Sequence, residues 1–529
     1  MIALDGALDR IAAIEAERHP RWVTWSQADA LELVRGGVRL TRCWDVAAAH
    51  RLLFGGWRAE PALAWARAHD LPTSGIPGPR PHDLFHQADD SDDAPVRADG
   101  YLTAEWDAVE PGTRARLAVE AATRQEAMFA ALPDPERALA TARVESAAEL
   151  LCAELTVDGL PVDRAAAEAS IAAFIGPRPR DEREAAERRA ERDAAVLAHA
   201  PGTEVDLRSP GQVKSLLRRV GIEVPDTRAW RLEAMRDQHP LVDALLVWRK
   251  AERVATTYGY GWLDTYVGDD GRLRGEWSAA DGAAGRMTAS AGLHNLPGDL
   301  RTAVRAGDGW RFVRADLGQI EPRILAAVSG DAALAAATRD DDMYRPVAAQ
   351  LGVDRATAKV AVLGAMYGQT TGHGAQALHR LQTAYPVAIA YLEEASAQAQ
   401  GAHDLRTFGG RLVRMSSANA NEVSDRDLRS HAAARGRYGR NAMVQGAAAE
   451  FFKLWAVTVR ARAATLGARI VLCLHDELLV HAPAETADDV AALVDECLQE
   501  AAHRWAPAQP PVRFLADTAV IDCWADAKG

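Results

Sequence analysis

The run RIVLCLHDELLVHAP (residues 469–483) constrains this chain most. Apolar residues fill both halves and His475-Asp476-Glu477 interrupts them, a pattern that predicts strand, tight turn, strand. A second alternating segment, Trp310–Ala315, ends on Asp316 and runs into a helix through RADLGQIEPRIL. Pro322 suits the first turn of that helix, where its missing N–H costs little. RLRGEW (272–277) also reads as a strand, helices dominate from about Glu321 to about Gln400, and TFGGRLVRM (407–415) reads as a glycine-containing hairpin. A further helix is expected from Asn441 to about Leu466. The fold class is therefore α+β, with strand clusters near 272–316 and 469–482 flanking a helical insertion.

Upstream, RWVTW, ADALELV, GVRL and a helix starting at Asp45 suggest a small α/β unit. Residues 76–100 are rich in Pro, Asp and Gly and predict a loop. Helical periodicity resumes near Thr113 and continues to about His199, broken at DGLPVD and GPRPRDE. Within it, Asp181–Asp193 alternates acids and arginines, the mark of an exposed helix with pairs four apart. A long amphipathic helix is expected over Pro240–Tyr260. At 529 residues the chain is too long for one core, and two to four domains are expected.

No apolar run reaches the length of a membrane span, and MIALDGALDR lacks the basic start of a secretory signal. The five cysteines form no CxxC pair, which argues against structural zinc and fits a reducing compartment. A cytoplasmic, nucleoid-associated location is the expectation. The net charge of −13 argues against a nucleic-acid partner, but it is uneven. Residues 1–150 hold 16 Lys and Arg against 24 acids, whereas Leu405–Arg440 holds eight arginines and three acids, so a local cationic surface is available. The same arginines could decorate a solvated loop.

Three motifs carry chemistry. Asp316 alone reads as a helix cap, and His475-Asp476-Glu477 alone as a solvated turn. Brought together by a sheet, Asp316 and Asp476 would repel unless a divalent cation lay between them, and Mg²⁺ favours one or two carboxylates completed by phosphate oxygens. In DRATAKVAVLGAMYGQ, steps of four put Arg355, Lys359, Leu363 and Tyr367 on one helical stripe. Two cations followed by an aromatic ring suit a triphosphate lying along the helix; an amphipathic helix with snorkelling cations would look similar.

In this order and context the three motifs resemble motifs A, B and C of family A DNA polymerases, the bacterial DNA polymerase I type. GRMTASAGLHNLP (285–297), TFGGRLVRM, RYGRNAMVQGAAAEFFK (437–453) and the ending CWADAK resemble further segments of that family. Ser209-Pro210 with Gln212, and the helix leading to Thr257-Tyr258, fit its thumb region. The resemblance covers residues 146–529. It implies a right-hand polymerase fold: thumb and connecting helices at 141–270, palm at 271–330 and 441–529, and fingers at 331–440. Residues 1–140 would form a small, RNase H-like exonuclease domain.

The resemblance also implies roles. Asp316 and Asp476, with the backbone carbonyl of Leu317, would bind two Mg²⁺ ions, for which Mn²⁺ could substitute, and Glu477 would be an auxiliary acid. Arg355 and Lys359 would hold the incoming phosphates, with Lys359 protonating the leaving pyrophosphate. Gln319 and Tyr344 would contact the nucleotide, Leu363 would lie under its sugar, and Tyr367 with Glu321 would form a gate against the 2′-OH. Arg286, Arg437, Asn441, Gln445 and His475 would contact the primer terminus and minor groove, whose acceptors report pair geometry more than sequence. The implied activity is template-directed DNA synthesis by a monomer on primer–template DNA with dNTPs, in repair or gap filling. A non-catalytic DNA-junction protein and a ribonucleotide-tolerant enzyme are the alternatives.

Departures from the family pattern fall at Leu363, where it has an aromatic residue, and at Tyr344, where it has His. Motif A reads DLGQIEP in place of DYSQIEL, changing Leu317, Gly318 and Pro322, and His294 replaces Gln. In residues 1–75 no D-x-E lies on a plausible strand, and the closest match to the family's last exonuclease motif, Leu117–Ala121, has apolar residues at both functional positions. A catalytically dead exonuclease-like domain is expected, and no 5′-nuclease domain.

Overall fold

The Trp310–Leu317 strand is the middle of the sheet on which the motifs meet. Its burial pattern shows why: Phe312, Val313 and Ala315 are all buried, so both faces are covered and a neighbour is needed on each edge. Arg469–Cys473, Glu477–Pro483, Trp310–Leu317 and Ala516–Ile521 lie side by side in that order, each pair antiparallel. The structure is a computed structural model that describes residues 4–78, 94–282, 284–368, 375–415, 425–506 and 511–527.

The chain divides into two units. The first comprises Met1–Gly159, Glu276–Ser290 and Asp308–Ile521. Its amino-terminal part pairs Trp22–Thr24 with Cys43–Asp45 in parallel. Helices follow directly: Ser26 caps Gln27–Arg35, and Asp45 caps Val46–Phe54 by accepting from Ala48 N at 2.8 Å. Trp44, Phe129, Leu52 and Trp65 fill the core beneath, with Trp44 edge-on to Phe129. The GVRL segment forms no strand. The expected loop at 76–100 lies partly outside the described residues.

In the same unit the strands Trp277–Asp281 and Arg286–Ala289 form a hairpin. Helix Ile320–Ser329 leaves the central strand at once, and Arg355–Tyr367 is a single helix capped by Asp354 and stopped by Gly368 in the left-handed conformation (φ 69°), so the four-step stripe is helical as expected. The long helix Asp425–Ala463 begins well before Asn441. That corrects the reading of its arginines as a loop, and neighbouring arginines are anchored by backbone carbonyls or burial. Arg411 is buried, Arg406 and Arg414 donate to the carbonyls of Leu53 and Phe54, Arg435 to those of Ala399 and Gln400, and Arg440 to that of Ala365.

The hub of this unit is a buried ion cluster. Glu145, on helix Pro135–Asp158, sits 2.5 Å from Lys453 Nζ and 2.7 Å from Arg411 Nη2, and all three are almost wholly buried. Lys453 also donates to the carbonyls of Ala279 (3.2 Å) and Gly285 (2.8 Å). Gly285 must be glycine, because its φ is +66° and a Cβ would lie 2.4 Å from Arg411 Nε.

The second unit comprises Leu160–Gly275, Ala291–Gly307 and Asp522–Gly529. Leu216, Leu217, Leu241, Leu245 and Trp248 anchor its core, between helices Pro210–Arg219 and Pro240–Thr257. The exposed helix Glu182–Leu197 carries the expected pairs, Arg183 to Glu187 at 2.7 Å and Arg188 to Glu184 at 2.6 Å. The five cysteines are free and buried. Among the described residues no helix is long and apolar enough to cross a membrane.

Candidate active site

Antiparallel register brings the acids of the first and third motifs together. Glu477 pairs with Asp316 across one edge of the central strand, and Asp517 with Asp316 across the other. The turn before Glu477 is closed by Leu474 N–H to the Glu477 carbonyl at 2.8 Å, and Leu317 N–H donates to the Asp476 carbonyl at 2.7 Å. The backbone itself therefore clips the first motif to the third at the position where the two carboxylates need to meet.

The electrostatics match. Burial and then the Asp476 charge raise the Asp316 carboxyl to about 6, and burial and then Glu477 raise Asp476. These acids hold their protons more tightly than usual because negative charge crowds a partly dry place, and a cation relieves that crowding. The donors are oxygens, which suit hard divalent ions. Among the described residues no three His, Cys, Asp or Glu side chains form a ready-made metal cage. The acids supply part of a shell that other oxygens must complete, and on that chemistry the site fits a divalent metal.

Sequence reasoning missed three residues here. Arg314 is buried beneath the acids and donates to Asp316 Oδ2 at 2.8 Å and Asp517 at 3.2 Å, with its Nε 3.3 Å from Glu477. Its signal was available: positions 314 and 316 of an alternating strand share a face. Asp342 accepts from Gln319 Nε2 at 2.8 Å and is paired with Arg355. Arg323, fully buried, donates to the carbonyls of Gly318, Thr338, Asp340, Asp341 and Arg513, which fixes the loop bearing Asp342. An arginine inside the apolar run IEPRILAAV was its trace.

Gln319 adopts a left-handed backbone (φ 55°), uncommon for a side-chain-bearing residue and held here by two hydrogen bonds, to Asp342 and from Met343 N–H at 3.0 Å. Gly318 is accounted for by packing, since a Cβ there would lie 2.6 Å from Leu515 Cδ1.

Beside the acids, Tyr367 donates its hydroxyl to Glu321 at 2.7 Å, and Arg286 donates to the other oxygen of Glu321 at 2.9 Å. Gln445 lies near the Tyr367 hydroxyl. Burial and then Glu321 push the Tyr367 phenol up to about 12. Tyr344 is buried, with Arg355 5.7 Å from its ring centre, and burial and then Glu321 push its phenol up to about 12. His475 is exposed at the turn tip, and burial of part of its ring and then Arg286 lower its pKa.

Arg355 and Lys359 are exposed on the helix that carries half-buried Leu363 and Tyr367, and Arg437 is exposed and Asn441 half-buried on the long helix. The structure thus joins Asp316, Leu317, Asp476 and Glu477 in one cluster, Glu321, Tyr367, Arg286 and Gln445 in a second, and Gln319 and Arg355 in a third around Asp342.

The chain is similar to known proteins over much of its length. Thermostable DNA polymerase I of Thermus caldophilus is 30% identical over 331 residues, 57% of this chain and 38% of that protein. DNA polymerase I of Deinococcus radiodurans is 29% identical over 344 residues, 56% of this chain and 34% of that protein. The matched region is thus well under half the length of these relatives. The polymerase domain of Pol1 from M. smegmatis, solved in complex with DNA primer-template and dNTP, superposes with a TM-score of 0.68 at 23% identity, over 94% of this chain and 84% of that one. The family model for DNA polymerase family A matches residues 180–526. By that match the chain belongs to DNA polymerase family A.

Proposed function

We propose that this chain is a DNA-templated DNA polymerase that extends a primer 3′-OH with dNTPs and releases pyrophosphate, without proofreading, in DNA repair or gap filling. The observation that carries the reading is the clip between Leu317 N–H and the Asp476 carbonyl, which sets Asp316 and Asp476 side by side next to a Glu321–Tyr367 pair.

Asp316, Asp476 and the Leu317 carbonyl would hold two Mg²⁺ ions, with Mn²⁺ as a substitute. When bound, such ions activate the 3′-OH and neutralise the triphosphate. The chain's own residues do the rest. Arg355 and Lys359 hold the phosphates, and Lys359 gives a proton to the leaving pyrophosphate. Gln319 and Asp342 orient Arg355, while Tyr344 and Leu363 bound the nucleotide. Glu321, held by Tyr367 and Arg286, stands where a ribose 2′-OH would need room. Arg437, Asn441, Gln445 and His475 contact primer–template DNA, and Glu477 is an auxiliary acid. The parts named palm (271–330, 441–529), fingers (331–440), thumb (141–270) and exonuclease-like domain (1–140) belong to this reading, as do a monomeric state and a cytoplasmic location.

The test is extension of a labelled primer on a template with Mg²⁺, for the wild type beside Asp476→Ala. Extension that the substitution abolishes supports the reading. DNA binding without extension in the wild type would favour a non-catalytic DNA-junction protein.

A further inference from the structure

Arg314 is a buried feature of the acid cluster for which the proposed chemistry has no use. A buried guanidinium is expensive to desolvate, and it persists where its donors are committed. Here Nη2 donates to Asp316 and Nη1 to Asp517, while Nε lies 3.3 Å from Glu477 as an ion pair without a hydrogen bond. The Arg314 side chain is 6% exposed and that of Glu477 8%, while Asp316 remains 35% exposed. Glu477 is therefore closed off from below, whereas Asp517 (79% exposed) and Asp316 are open to solvent, and Asp316 has Oδ2 already committed. A cation arriving from solvent meets Asp316 through Oδ1.

Building on the polymerase reading, we propose that Arg314 is a positioning residue for metal binding. It locks Asp316 as a one-oxygen ligand and keeps Glu477 out of the metal shell, and its charge weakens cation affinity in return for a rigid carboxylate. Glu477 is auxiliary in a definite sense: it orients Arg314. The two effects have opposite signs. Removing the charge lets the acids attract a cation more strongly, and removing the fork lets Asp316 turn away from its productive orientation.

The experiment uses the full chain with Arg314→Met, which removes charge and fork, and Arg314→Lys, which keeps the charge. Mn²⁺ binding is followed by electron paramagnetic resonance, turnover and dNTP KM by primer extension, and folding by thermal unfolding. Arg314→Met is expected to bind Mn²⁺ about 3-fold tighter or more. Its turnover at saturating metal should fall about 10-fold or more with KM little changed. Arg314→Lys should keep wild-type Mn²⁺ affinity while turnover falls. A strut that only supports the fold would lower the unfolding temperature and leave Mn²⁺ affinity equal or weaker, and that result overturns the proposal. If Arg314→Met does not fold, Arg314→Lys decides: unchanged turnover overturns the proposal, and reduced turnover with unchanged affinity upholds it. Absence of extension by the wild type would sink the polymerase reading, while the Mn²⁺ titration would still report on Arg314.

Discussion

At the scale of single residues, Glu321 carries the sharpest test of the proposed function. It accepts from Tyr367 and Arg286 at once, so its carboxylate is fixed rather than free to swing away from a bulkier sugar. Glu321→Ala is expected to raise ribonucleotide incorporation about 10-fold or more, because a rigid steric and charge barrier is removed. Competition between rNTP and dNTP on one template reads this directly, and unchanged selectivity would remove Glu321 from that role. His50 offers a pH test on the same scale. It is buried against Phe54, and burial, then the charges of Arg51 and Arg67, lower its pKa from 6.5 to about 4. The unfolded chain takes up a proton at higher pH than the folded one, so the stability this residue contributes is present above about 6.5 and is lost as pH falls toward 4. In His50→Leu, urea midpoints between pH 6.5 and 4 should fall less steeply than in the wild type; equal slopes would show that His50 is not responsible.

At the scale of elements, the Glu145–Lys453–Arg411 cluster ties helix Pro135–Asp158, the hairpin bearing Arg286, the 405–413 turn and the long helix into one body. Glu145→Gln leaves two buried cations facing a neutral amide, and a loss of about 3–5 kcal/mol in denaturant unfolding is expected. A loss below about 1 kcal/mol would mean that water reaches the cluster. Elements also show what a sequence reveals. The 469–483 hairpin was legible because apolar residues on both faces leave its strands no other arrangement. The Ala516–Ile521 strand went unread because its residues are half-exposed and alternate weakly, so its partner defines it more than its own pattern does. The first turns of Asp425–Ala463 were hidden by arginines and small residues, which blur a 3.6 period. Arg314 was legible only in part: it shares a strand face with Asp316, but a charge in a strand reads as solvent-facing until the acids that bury it are placed.

At the scale of the whole molecule, the amino-terminal region keeps a two-stranded parallel sheet and a tryptophan-rich core. Its Asp45 is fully buried, capping a helix and accepting from Thr24 at 3.1 Å, an arrangement that serves packing. With dNTPs withheld, a labelled primer incubated with the full chain and Mg²⁺ should keep its length. Stepwise shortening from the 3′ end would assign an exonuclease to this region.

The catalytic sheet also bears on how the chain is made. Asp316 must pair with Glu477 and Asp517, partners about 160 and 200 residues further along. At the about 5–20 residues per second of ribosomal synthesis, the central strand waits on the order of 10–40 s for its last neighbour. Contacts so distant in sequence slow folding, because a long loop must close before any pairing rewards it. The acids are thus brought together only once residues 516–521 have been made. A ribosome-bound fragment ending before residue 516 can hold a folded amino-terminal region and yet have an incomplete catalytic sheet.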